Sequence, residues 1–173
     1  ADMGKDLQNR ARTAMSTLGA TYPELSGYYP QPKGLLFPAF LSVQNLSGIY
    51  SPFTIEANYN SAMVSYNLPF TICHELSHLR GFMQEEEANF IGFLACVSTD
   101  DTAFNYSGYL LGWIYATNEL YETDYDTFEE VYSRLSDNVK ADLSANSSFW
   151  NRYDSKVAEV SGQINDHYLK ANG

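Results

Sequence analysis

A chain of 173 residues with 45% hydrophobic side chains is long enough for one domain with a real core, and too apolar to stay disordered. Its formal net charge of −11 argues against nucleic acid or an anionic membrane surface as a partner. The acidity does not argue for a cationic substrate, because a solvated acidic surface explains it as well. No run approaches the ~18 apolar residues of a membrane span. No signal peptide is recognisable, and an anchor upstream of Ala1 would lie outside this sequence.

In chain order, residues Lys5 to Leu18 place Leu7, Ala11, Ala14, Met15 and Leu18 at helical spacing. Gly19 to Gly34, rich in Gly, Pro and Tyr, reads as a loop whose tyrosines cover the core. From Leu35 to Asn60 the pattern becomes short β-like runs, Leu36–Phe37, Phe40–Val43, Gly48–Tyr50 and Phe53–Ile55, predicting a small sheet or hairpin of roughly two to four strands.

The stretch from Asn67 to Gly81 predicts a helix, with Pro69 in its first turn and Gly81 as its stop. It carries His74-Glu75-x-x-His78. Four residues make about one turn, so both imidazoles face the same way and can share one metal ion, as in zinc hydrolases. Glu75 lies about 100° round the helix, placed to act on a water and not to ligate. Ile72, Leu76 and Leu79 form the apolar stripe opposite.

Gln84 to Cys96 predicts a second helix. On it Glu85 shares a small, polar face with Asn89, Gly92 and Cys96, suited to close contact with another helix. Glu86 aligns with Phe90, Phe93 and Val97 as a core stripe, and Glu87 with Ile91 and Leu94. Glu85 is therefore the expected third ligand beside His74 and His78. Cys73 and Cys96 are left open as one disulfide or two buried thiols. Asp100–Asp101 caps a helix from Ala103 to Tyr121. Asp126-Thr127-Phe128-Glu129 resembles a capping box opening a helix to Leu135, and two further helices are expected over Ser136 to Phe149 and Ser155 to Lys170.

The two-helix constellation resembles the gluzincins, zinc metallopeptidases with His-Glu-x-x-His on one helix and a Glu ligand on the next. Many of them show Glu-x-x-Ala-Asp on that second helix; Glu85-Glu86-Glu87-Ala88-Asn89 matches with Asn in place of Asp. The resemblance implies Glu85 as third ligand and Asn89 as the residue that orients a ligand histidine, without adding charge. The pattern His-Glu-x-x-His-x-x-Gly is also similar to metzincins, whose third ligand would fall on Gln84, a poor zinc ligand. More closely, Pro32-Lys33-Gly34, Ser42-Val43-Gln44-Asn45, Tyr50-Ser51-Pro52-Phe53, Glu56-Ala57-Asn58-Tyr59-Asn60 and Pro69 to Glu75 resemble an uncharacterised bacterial family, domain of unknown function 3810, with minigluzincin-like architecture. That resemblance covers most of the chain. It implies one zincin-like domain over residues 1–173: α+β and predominantly helical, with a small sheet, a metal helix, a Glu-bearing helix and a C-terminal helical bundle. It also implies Zn²⁺ and a membrane anchor outside this chain, at the extracytoplasmic face of a bacterial membrane.

The expected chemistry is peptide-bond hydrolysis, with Glu75 as general base on a zinc-activated water. Tyr106, Tyr109 and His167 are the candidates for an oxyanion stabiliser. A peptide or protein is the expected substrate and the monomer the expected state. The edge of the small sheet is either a substrate-pairing strand or a plain hairpin. The alternative function is a zinc-binding sensor or interaction domain without proteolysis, against which an intact Glu75 argues.

Overall fold

In the computed structural model, which describes residues 6–172 and only the backbone of 155–172, the chain runs α1 (Leu7–Thr21), a 3-10 turn (Pro23–Leu25), β1 (Lys33–Gly34), α2 (Pro38–Val43), β2 (Gly48–Ser51), β3 (Glu56–Tyr59), α3 (Asn67–His78), α4 (Glu85–Val97), α5 (Thr102–Thr123), α6 (Tyr125–Ser133) and α7 (Asp137–Asn172). The fold is α+β and predominantly helical. Its sheet has the order β1-β3-β2, with β1 parallel and β2 antiparallel to the central β3. Among the described residues no helix is long and apolar enough to cross a membrane.

The core follows the helical periodicities. Ala11, Met15 and Leu18 of α1 meet Ile72 and Leu76 of α3, Ala95 and Cys96 of α4, and Phe104 of α5 in one buried cluster. Cys73 and Cys96 lie inside it as free thiols. On α4 the face of Phe90 is exposed and Phe93 and Val97 are only half-buried, so the stripe expected beside Glu86 looks outward.

The start of α3 accounts for every backbone donor of its first turn. Asn67 N–H donates to Val64 O and Leu68 N–H to Ser65 O, Pro69 has none to place, and Phe70 N–H donates to the buried Ser107 Oγ of α5 at 3.1 Å. Gly81, at φ 91°, ends the turn beyond α3 with its N–H on His78 O.

Several stretches depart from the sequence reading, and Leu36–Phe37 is a bend where a short strand is expected. Phe40–Val43 is helical within α2, because Pro38 opens a helix and the adjacent pair Leu41 and Ser42 is buried where a strand would alternate. Asn45, at φ 55°, closes α2 in a Schellman motif, with Leu46 N–H on Leu41 O and Asn45 N–H on Ser42 O. Phe53–Ile55 is the turn between β2 and β3. Helix α6 starts earlier than expected, since Asp124 is its cap, accepting from Thr127 N–H and Thr127 Oγ1. The two C-terminal helices are one, α7, because Trp150 to Asp154 contains no Gly or Pro to break it.

Candidate metal centre

His74 and His78 stack one turn apart on α3, and each ring is fixed by a bond at Nδ1. His74 Nδ1–H donates to Asn89 Oδ1 of α4 at 2.8 Å, and His78 Nδ1–H to the carbonyl oxygen of Phe82 at 2.7 Å. Both acceptors demand a proton on Nδ1, which leaves a bare lone pair on each Nε2. The two Nε2 atoms face each other 3.2 Å apart. Burial, and then the neighbouring His78, hold the His74 imidazole below its ordinary pKa, favouring the neutral ring that ligates.

Glu85 completes the cluster from the first turn of α4. Its Oε2 lies 3.2 Å from His74 Nε2 and its Oε1 3.9 Å from His78 Nε2. Helix α4 can lie this close because Gly92 rests on α3: a Cβ there would fall 3.2 Å from His74 N and 3.3 Å from Phe70 O. With neutral imidazoles, the three groups point lone pairs at one another. A shared proton could relieve one pair; one divalent cation relieves all three. A tetrahedral ion with bonds of about 2.0–2.1 Å holds adjacent donors roughly 3.4 Å apart. The two Nε2 atoms and the His74–Glu85 pair are near that spacing, and one ligand atom from each of the three lies within 4.8 Å of the others, so a small turn of the exposed Glu85 side chain would complete the set.

Glu75 stands beside this cluster and is not part of it. It is 5% exposed, and its Oε2 is buried with no hydrogen-bond partner. Burial, then the charge of Glu85, push its carboxyl up to about 8. Strand β2 runs directly over it: a Cβ on Gly48 would fall 2.3 Å from Glu75 Oε1, so only glycine allows this approach.

These groups open on a cleft of about 720 Å³ whose walls come from β2, α3, α5 and α7. The β2 wall is an open sheet edge. Asn60 N–H donates to Ser47 O at 2.8 Å, and the register pairs Ile49 with Asn58. By the alternation of an antiparallel ladder, the backbone groups of Gly48 and Tyr50 therefore point away from β3, to the free edge.

The structure brings His74, Glu75, His78, Glu85 and Asn89 together and keeps the expected oxyanion tyrosines apart from them. Tyr106 donates to Asp142 Oδ2 of α7 at 2.6 Å, and Tyr109 is exposed, edge-on to Phe93; neither lines the cleft. His167 lies outside the described side chains. The phenols on the cleft wall are Tyr50 and Tyr115. Burial, and then Glu85, raise the Tyr115 hydroxyl above its ordinary value, so it stays a donor at neutral pH. The signal for Tyr115 was its place on α5, one turn beyond Leu111 and two beyond Gly108, the stripe that packs on the ligand helices.

A model of the family described as "Protein of unknown function (DUF3810)" matches residues 1–173. No curated protein and no solved structure matches the chain.

Proposed function

The chain belongs to the DUF3810 family, described as of unknown function, and we propose from the geometry of its cleft that it is a zinc-dependent peptidase of gluzincin type. One observation carries the reading: two histidines protonated on Nδ1 and one glutamate aim their free lone pairs at a single point, beside a buried glutamate with an unpartnered oxygen. His74, His78 and Glu85 would hold the ion. When bound, zinc supplies a water of lowered pKa and polarisation of the scissile carbonyl.

The rest falls to the chain's own groups. Glu75, beside the three ligands with its Oε2 unpartnered, takes the proton of the attacking water and returns it to the departing amine. The outward backbone groups of Gly48 and Tyr50 pair with an extended substrate, which places its scissile bond over Glu75. Tyr115 donates to the developing oxyanion from the opposite wall. We place the domain, on the resemblance of its sequence, at the extracytoplasmic face of a membrane, with its anchor in a segment outside this chain.

The test is metal analysis and a peptide-library assay on the parent and Glu75→Gln. One zinc per chain is expected in both, with hydrolysis lower in the variant by about 10²–10⁴-fold and lost from the parent on chelation. A protein that binds no zinc, or a variant as active as its parent, would end this reading.

A further inference from the structure

The charge distribution round the cleft goes beyond the reaction to the kind of chain it accepts. Between Gly34 and Cys73 the sequence has one charged residue, Glu56, and it is bonded to Lys33. Among the described residues no lysine or arginine lines the cleft. The cationic side chains among the described residues hold partners outside the cleft lining, Arg152 Nε on Ser148 O included. Arg10 holds Asp101, Arg12 holds Tyr29 O, Arg80 holds Ser26 O and Tyr28 O, Lys140 holds Ser133 O, and Arg134 holds Glu130.

Apart from Glu75 and Glu85, the lining is uncharged. Met63, Met83, Leu111, Ile114 and Trp150 give it apolar surface. Its uncharged polar groups are hydroxyls and carboxamides; among the latter, Asn67 Nδ2–H donates to Asn146 Oδ1 at 2.7 Å, which leaves Asn67 an acceptor and Asn146 a donor for a peptide backbone.

We propose, resting on the peptidase reading above, that the cleft takes an uncharged, apolar stretch from the interior of a peptide chain and rejects carboxylates beside the scissile bond, whether acidic side chains or a free C-terminus. The physical reason is desolvation. A carboxylate drawn into this cleft away from the metal position loses its water and meets no cationic side chain among the described residues, while leucine or phenylalanine side chains gain by burial. Enzymes that read a terminal carboxylate need a cationic partner to pay that cost, and this lining has none among the described residues. The molecule is therefore built to cut within chains.

Binding to zinc-loaded Glu75→Gln, by calorimetry, separates this inference from the reaction itself. The probes are an acetylated and amidated octapeptide of Leu, Phe and Ala, and versions with Glu or Gln on both sides of its centre. The apolar and Gln peptides are expected to bind, and the Glu peptide at least about tenfold more weakly. Removing the C-terminal amide block from a peptide that ends two residues past the centre, clear of the metal position, should weaken binding likewise. Met83→Lys, at an exposed cleft position, should narrow the gap between Glu and Gln peptides. Equal binding of Glu and Gln peptides, an unchanged gap in Met83→Lys, or no binding of any peptide would overturn the inference. The expected binding pattern without hydrolysis by the parent would instead overturn the peptidase reading and leave only the preference of the cleft for uncharged chains.

Discussion

The helix pair α3–α4 and the segment from β1 to β3 meet across the same cleft but are held in different ways. The helices owe their positions to long apolar stripes, and the ligand histidines to bonds made within or between those two helices and the turn that follows α3. The other wall depends on single residues: Asn45 closing α2, Asn60 tying α2 to β2, and Gly48 admitting the glutamate. On the proposed function, the difference teaches that metal binding and catalysis would rest on separate supports. Ligand geometry belongs to the helix pair, whereas the substrate edge and the packing over Glu75 belong to the sheet, so each can be broken alone.

The largest separation is expected from Gly48→Val. A side chain there must displace either β2 or the Glu75 carboxylate, since even a Cβ would sit 2.3 Å from Oε1. Hydrolysis should fall about 100-fold, the cost of roughly 1 Å of misplacement, while zinc content by elemental analysis stays at the parent level. The reverse experiment is Asn89→Leu. It removes the acceptor that fixes the His74 tautomer, and zinc affinity measured by competition with a chromophoric chelator should weaken about 10- to 100-fold. If Gly48→Val loses the metal and Asn89→Leu keeps it, the two supports are not separate.

The same contrast explains what the sequence disclosed. In α3 and α4 a period near 3.6 over more than three turns singled out His74, His78, Glu85 and the small face at Gly92, because ligand placement there is a local consequence of helix geometry. The segment 34–60 offered only short apolar runs, and such runs do not distinguish strand from helix; α2 was settled by Pro38 and Asn45, at its ends. The role of Gly48 could not be read at all, since a glycine's reason lies in what approaches it, here a side chain from another element. Tyr106 and Tyr115 illustrate the same limit. Both are aromatic positions of α5, and only the packing of α7 on one side and of α4 on the other assigns Tyr106 to Asp142 and Tyr115 to the cleft.

A smaller effect should follow from Asn60→Ala. Fully buried Asn60 donates through Nδ2 to Ser42 Oγ at 2.8 Å and to Leu46 O, and accepts from Ala62 N–H at 3.1 Å. Its truncation removes these bonds and leaves a cavity at a fully buried position, at about 2 kcal/mol in urea unfolding. The comparison sharpens if zinc affinity stays unchanged while turnover drops with the loosened edge.

The smallest effect on the cleft is expected from Asp101, which braces the helical side from outside it. Its carboxylate accepts from Arg10 Nε and Nη2 at 2.6 Å each and caps α5 through Ala103 N–H and Phe104 N–H. The Arg10 bond, more than any other cause, holds its pKa below the ordinary value. A carboxyl depressed by folding stabilises the native state above the unfolded pKa of about 3.9, and that contribution fades as pH falls through the lower folded value. The parent should therefore lose stability between about pH 4 and the folded pKa of Asp101. Asp101→Asn, which keeps an N-cap but not the charge, should flatten that part of the profile and cost about 1 kcal/mol near neutrality. Asp101→Ala, which removes cap and ion pair together, should cost about 2 kcal/mol. Zinc content should remain at the parent level in both, because α3 and α4 hold the ligands through contacts that Asp101 does not make. A variant that loses zinc along with stability would show instead that the brace of α1 on α5 reaches the metal helices.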